Sequence, residues 1–268
     1  MKKDDVKVSR QSEPSERILH RGLYITIKTK EELDAKRIIA EHVVREYVHD
    51  FDAVLLDAGS TVEIVAEEMF KQRKFLSVLT NNMGAYAAYI HAGKIADGEK
   101  GGKNPPNQGN ELLISGGRYV DVYESLLGSG AISSIESFTP NVVILGTSGL
   151  RCEEGIFCHG SEESAVKSLL WTKPTDTRLI VTDWTKIGKR DASAFGRVSD
   201  FRLNAKRAVI VTNMPPRELC IGDSKKIPEQ MSERIKEFRE ELDLMERMGI
   251  KIDKVQIETR PSEEEEAK

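Results

Sequence analysis

The sequence lacks any excess of positive charge: 40 lysines and arginines stand against 44 aspartates and glutamates, a formal net charge of -4. No overall field draws such a chain to nucleic acid or anionic lipid, and only a local basic patch is left open. Long apolar runs are missing too. Nothing approaches the roughly 20 residues that a membrane-spanning helix needs, and the opening MKKDDVKVSRQSEPSER has no apolar core of the kind a signal peptide carries. A cytoplasmic protein with no membrane contact is the expectation. Cysteine is scarce. Cys152, Cys158 and Cys220 are an odd number in a chain with no export signal, which argues against a disulfide framework. Cys158 adjoins His159, but the five residues separating it from Cys152 match no common zinc spacing, so the cysteines are read as reduced thiols and no metal site is expected.

What is present, in 268 residues of which 39% are hydrophobic, is enough apolar material for one large α/β domain or two small ones. The polar first 18 residues and the acidic tail 259–268 are expected to be disordered, since neither can bury enough apolar surface to order itself. From Glu31 to Tyr47 the apolar positions Leu33, Ile38, Ile39, Val43 and Val44 recur at helical spacing, and the run AVLLD that follows reads as a buried strand ending at Asp57. FLSVLT, ELLISGG, NVVILGTSG, RLIVTD and RAVIVTN are further short apolar runs closed by small or polar residues, with helical segments between them. That alternation predicts βαβ units: an α/β fold with a mostly parallel, doubly wound, Rossmann-like sheet and helices on both faces. Ligands of such sheets sit beyond the carboxyl ends of the strands, so the residues closing each run are the informative ones. Gly98 to Asn110 is a Gly, Asn and Pro-rich surface loop, read as an insertion; the alternative is a lid over the site. Near the end, Ile235, Phe238, Leu242 and Met245 form a helical stripe stopped by Gly249, expected to pack on the sheet; the alternative is a dimer contact.

The strongest local signal is a strand followed by Asp57-Ala58-Gly59-Ser60-Thr61 and the helical VEIVAEEMF. Gly59 permits a tight turn, and the backbone N–H groups with the helix dipole form an anion site; the bland alternative is that Ser60 or Thr61 merely caps the helix. Asn81-Asn82, Gly116-Gly117, Thr147-Ser148 and Asp183 close strands on the same predicted edge, and neutral hydrogen-bonding groups around an anion site suit a polyhydroxylated ligand. Lys186, three residues after Asp183, brings an ammonium to this rim, for a ligand phosphate or for proton transfer.

Lys36-Arg37 ahead of Ile39-Ala40, then LLDAGSTVEIVAEEM, LTNN, ELLISGGRY, SLLGSGA, GTSGL, EESAVK and IVTDWTKIG follow one another in the order and spacing of the C-terminal effector domain of DeoR-type regulators. The resemblance covers roughly residues 30 to 215 of a domain spanning 19–258, with a C-terminal helix and strand extension over 229–258. That family resembles ribose-5-phosphate isomerase and glucosamine-6-phosphate deaminase in turn, which implies an isomerase-like sheet and a sugar-phosphate effector. By position, Gly59, Ser60 and Thr61 match the family's phosphate loop, Asn81 and Asn82 its second loop, Gly116 and Gly117 its third, and Asp183 and Lys186 its aspartate-to-lysine motif. No cofactor is implied. The expected partners are a small phosphorylated sugar-like ligand, other copies of the chain in a homo-oligomer and a regulatory protein.

The chain departs from the pattern in three places. Only 35 residues precede Lys36 and include a strand-like LYITIK, where full regulators carry a helix-turn-helix; the DNA-binding half is expected to be missing, and with it direct contact with nucleic acid. The family's usual Gly-Ala-Asp-Gly is here Gly146-Thr147-Ser148-Gly149, which puts a serine where the isomerases use a carboxylate as acid or base. The loop at 98–110 and the segment after Val211 are longer than the pattern predicts. The reading is therefore a stand-alone regulatory sensor of a phosphorylated sugar or related metabolite. The alternative is a sugar-phosphate isomerase or related enolising enzyme, with Lys186, Asp183 and Glu162 or Glu163 as its polar groups.

Overall fold

A computed structural model describes residues 32–98, 109–216 and 229–256. The expected disorder of 1–18 and 259–268, the strand-like LYITIK, residues 99–108 of the loop and Cys220 lie outside the described residues. Seven parallel strands form the central sheet in the order β12-β11-β9-β6-β1-β2-β3. They are β1 (Ala53–Leu56), β2 (Ser77–Thr80), β3 (Glu111–Ile114), β6 (Val142–Gly146), β9 (Thr175–Thr182), β11 (Ala205–Asn213) and β12 (Lys251–Val255).

Both faces are covered, which is why the strands read as unbroken apolar runs. Val54, Leu56, Leu179, Val181, Val209 and Val211 point to one face, under α1 (Leu33–Tyr47), α2 (Ser60–Gln72) and α3 (Met83–Gly98). The intervening Leu55, Ile180 and Ile210 point to the other, under α4 (Ser129–Ser137), α5 (Ser161–Thr172) and α6 (Glu229–Arg247). The α6 stripe of Ile235, Phe238, Leu242 and Met245 is buried in this second cluster, and the Trp184 ring meets Phe238 edge to face. Its apolar side is thus spent on the sheet.

Two smaller pieces stand beyond the strand ends, and neither is foreshadowed by the apolar runs. One is a three-stranded antiparallel sheet of β7 (Gly149–Arg151), β8 (Gly155–Cys158) and β10 (Ser193–Gly196), in the order β10-β8-β7. The other is a hairpin of β4 (Arg118–Val120) and β5 (Ser125–Leu127). Among the described residues no helix is long and apolar enough to cross a membrane.

Candidate ligand site

From β1 the chain winds outward through β2 and β3, whereas from β6, the neighbour of β1 on its other side, it winds the opposite way through β9 and β11. Adjacent loops leave the sheet in opposite directions at that junction and open a crevice. A cavity of about 460 Å³ lies there, a size typical of small-molecule sites.

Its floor is an ion pair. Asp57, fully buried at the end of β1, accepts from the Lys167 ammonium on α5 and, at 3.0 Å, from the Gly146 N–H at the end of β6. Lys167 also donates to the carbonyls of Ala58 (3.2 Å) and Gly146 (3.1 Å) and lies 3.5 Å from Glu163. One ammonium thereby pins both loops of the crevice. Burial pulls the Lys167 pKa down, but the carboxylates of Asp57 and Glu163 outweigh it and hold the amine above its ordinary range, so it stays charged.

Above this floor Gly59 turns the chain with φ 148° and ψ 151°, a conformation essentially reserved for glycine. No side chain caps α2, so neither Ser60 nor Thr61 acts as the cap the sequence allowed. Both line the cavity, and the Thr61 hydroxyl, although buried, has no hydrogen-bond partner among the described residues. Lys36 reaches the same space from α1. Across the opening, Asp183 accepts from the Thr185 N–H (3.1 Å) and hydroxyl and lies 3.0 Å from the Lys186 ammonium. Burial alone would raise the Asp183 pKa, yet Lys186, the Thr185 hydroxyl and Lys36 hold it below the usual carboxylate range. Asp183 is therefore ionised and positions Lys186.

The third wall is one end of the small antiparallel sheet. Ser148 precedes β7, His159 follows β8 and Asp191 lies just before β10, and all three line the cavity. His159 Nδ1 is 2.5 Å from Asp191, and its ring stacks on Tyr123 at 5.9 Å. The neighbouring Cys158 thiol is pushed up to about 12 by burial and Glu163, which keeps it unreactive.

Of the residues named from sequence, Gly59, Ser60, Thr61, Thr147, Ser148, Glu163, Asp183 and Lys186 meet around this cavity, with Asp57 beneath it. Asn81, Asn82, Gly116 and Gly117 do not line it. Asn82 donates to the carbonyls of Asp57 and Gly59 and accepts from the N–H groups of Gly84 and Ala85, so it clamps the loop after β1 to the start of α3. Asn81 is tied to Leu126 of the hairpin. Gly116 and Gly117 pack against the start of α4: a Cβ on Gly117, φ 121°, would sit 2.5 Å from the Leu127 carbonyl. Glu162 is exposed and pairs with Arg118, also away from the cavity lining. Sequence reasoning missed Lys167, Lys36, Tyr123, His159 and Asp191 as site residues. For Lys167 the available signal was its spacing of four from Glu163 within EESAVK.

The model of the DeoR C terminal sensor domain matches residues 31–204. The chain belongs to this family. Similar curated proteins include the HTH-type transcriptional regulator GlpR of Haloferax volcanii, 26% identical over 176 residues, which is 66% of this chain and 62% of that protein. The transcriptional repressor AccR of Agrobacterium fabrum is 24% identical over 75% of this chain and 67% of its own length. A putative aga operon transcriptional repressor of Escherichia coli O157:H7 is 25% identical over 58% and 51%. The DeoR-type chain thus spans about half to two thirds of these relatives' lengths. Among solved structures it is similar to eIF2B beta from Chaetomium thermophilum, with a TM-score of 0.38 and 14% identity over 64% of this chain and 43% of that one. Ribose 5-phosphate isomerase A from Methanocaldococcus jannaschii gives 0.36 and 12% over 58% and 55%.

Proposed function

We propose that this DeoR-type sensor domain binds a small phosphorylated sugar or related metabolite in the crevice between β1 and β6, and that occupancy of the cavity is a regulatory signal. The observation that carries the reading is the uncapped start of α2 beside the buried, unpartnered hydroxyl of Thr61. A helix N-terminus favours an anion through its free N–H groups and dipole, and a phosphate oxygen there would give the orphaned hydroxyl an acceptor. Lys36 and Lys186 supply positive charge to the same space, while Thr147 and Ser148 offer neutral hydrogen-bonding groups to a hydroxylated body. The role as a signal receiver follows the relatives, whose names are those of transcriptional regulators and repressors. We further propose binding without turnover: Lys186 is held in an ion pair by Asp183, and Glu163 is committed to Lys167 and to the His159 N–H.

A thermal-shift screen of five- and six-carbon sugar phosphates against their unphosphorylated parents tests this. At least one phosphate ester should stabilise the protein, by about 2.7 kcal/mol at 100 times its dissociation constant, and its parent sugar should do little. Equal shifts for ester and parent would overturn the assignment of the α2 end. Interconversion of aldose and ketose phosphates by the wild-type chain, reduced by Lys186→Ala, would overturn the binding-only reading.

A further inference from the structure

The two sides of the cavity have different characters, and the difference lies in the topology. One side is the carboxyl edge of the parallel sheet, with the α2 N-terminus and Thr61. The other is an end of the antiparallel sheet, where the start of β7, the end of β8 and the start of β10 lie side by side because Gly149 pairs with Phe157 and Ser193 with Cys158. That end presents Ser148, His159 and Asp191.

Asp191 is its charged centre. The carboxylate accepts from the Ala192 N–H at 2.7 Å and meets His159 Nδ1 at 2.5 Å, with the Ser148 hydroxyl also against it. Burial would raise its pKa, but Ser148, the Ala192 N–H and His159 together hold it below the ordinary range, so it is ionised near neutral pH. The Ser148 hydroxyl has a single hydrogen and a second acceptor, the Phe157 carbonyl at 3.1 Å. An ionised carboxylate has about four lone-pair positions. These neighbours leave acceptor capacity on Asp191, whose side chain is 25% exposed and borders the cavity.

We infer that the end of the small sheet reads the body of the ligand, and that Asp191 does so by accepting a hydrogen bond from a ligand hydroxyl; this rests on the phosphosugar reading above. The occupant is accordingly a phosphate ester of a hydroxyl-bearing carbon chain. Lys189 and Arg190 border the same cavity, so Asp191 is assigned only the hydroxyl it accepts from. Ser148 and His159 act as positioning residues that fix the carboxylate. The wall thereby acquires a carboxylate even though position 148 is serine, since Asp191 delivers one from the start of β10.

The test compares, by titration calorimetry on the full chain, the best-binding sugar monophosphate with n-propyl phosphate, which keeps the phosphate and has no hydroxyl. The wild type should prefer the sugar ester by roughly 10- to 100-fold, the range for a hydrogen bond to a charged group. Asp191→Asn should lower that ratio by about five- to ten-fold, the difference between a charged and a neutral acceptor, and Ser148→Ala should lower it in the same direction by less, which keeps the test open should the asparagine variant fail to fold. A preference that persists undiminished in both variants, or a wild type that does not distinguish the two esters, overturns the role of Asp191 and leaves the phosphate assignment standing. A wild type that binds neither ester overturns both.

Discussion

Thr61→Val is the sharpest perturbation of the proposed anion site, because it should stabilise the empty protein while weakening the complex. Threonine and valine have nearly the same shape, so packing around the start of α2 is preserved. The hydroxyl it removes is buried and unpartnered. Leaving such a group without a hydrogen bond costs about 1–3 kcal/mol, so the substitution should raise the stability of the empty protein by about 1 kcal/mol or more. In a domain of this size that corresponds to a melting temperature higher by about 2–4 °C.

With ligand the sign reverses. A hydroxyl donating to a phosphate oxygen is a charge-assisted hydrogen bond, and its loss should raise the dissociation constant by about 10- to 100-fold. At a concentration 100 times the wild-type dissociation constant, ligand stabilisation should then fall from about 2.7 to about 0.4–1.4 kcal/mol. Differential scanning fluorimetry with and without the sugar phosphate reads both numbers in one experiment. A less stable empty variant would mean that the hydroxyl has a structural partner in the protein. An undiminished ligand shift would mean that the phosphate does not sit on Thr61, and either result refutes the reasoning.

Gly59→Val should cost about 1–3 kcal/mol in urea denaturation and abolish the ligand shift; since nothing lies within 4 Å of the added Cβ, the effect would come from φ 148° alone, and unchanged binding would mean the loop geometry is not required. Lys167→Met leaves Asp57 as an unpaired buried charge and should cost about 3–5 kcal/mol, of which the double variant with Asp57→Asn should recover a large part; equal losses in the single and double variants would deny the pair its role. Glu63, on α2, has its pKa raised from 4.5 to about 7 by burial and by the nearby Glu124 and Glu67. Its folded-state value lies above the unfolded one, so its contribution is complete below pH 4.5 and is lost as pH rises through about 7. Glu63→Gln should therefore raise stability at pH 8 by up to about 3 kcal/mol relative to the wild type and change little at pH 4.5, as followed by chemical denaturation across pH; a pH-independent difference would refute the assignment.

The layered fold was legible because its strands are buried on both faces. In AVLL, RLIV and AVIV, alternate residues go to opposite helical layers, and each run ends in polar residues where the chain leaves the sheet. Strand order was not legible, and it decides which of the residues named from sequence border the crevice. Asn81-Asn82 and Gly116-Gly117 close strands just as Asp57, Thr147 and Asp183 do, but β2 and β3 lie on the far side of β1 from the crevice. Strands are about 4.8 Å apart, so each step away from the switch point moves a loop away from the crevice. There the hairpin covers the strand ends, with Ser125 bridging to Asn82 and Leu126 bonding to the Asn81 carbonyl. Lys167 could not be paired with Asp57 from sequence because 110 residues separate them.

The same geometry separates what the frame of the protein imposes from what it leaves open. In a doubly wound sheet, the end of β1, the start of the next helix and the end of β6 meet whatever the loop sequences are, so the corner proposed to take an anion is a consequence of topology and needs few special residues: a glycine at 59, a hydroxyl at 61 and a buried charge pair that locks two loops. The opposite wall has no such origin. Ser148 and His159 belong to the hairpin inserted between β6 and α5, and Asp191 to the connection between β9 and β11, so their approach depends on pairing within a sheet of three short strands. Irregular connections of this kind tolerate substitution more easily than the parallel sheet. On the phosphosugar reading proposed above, affinity for phosphate would be anchored in the parallel sheet, and selectivity for the rest of the ligand in these irregular connections. At that wall this chain sets a carboxylate, Asp191, just before β10 beside a hydroxyl, Ser148, just before β7.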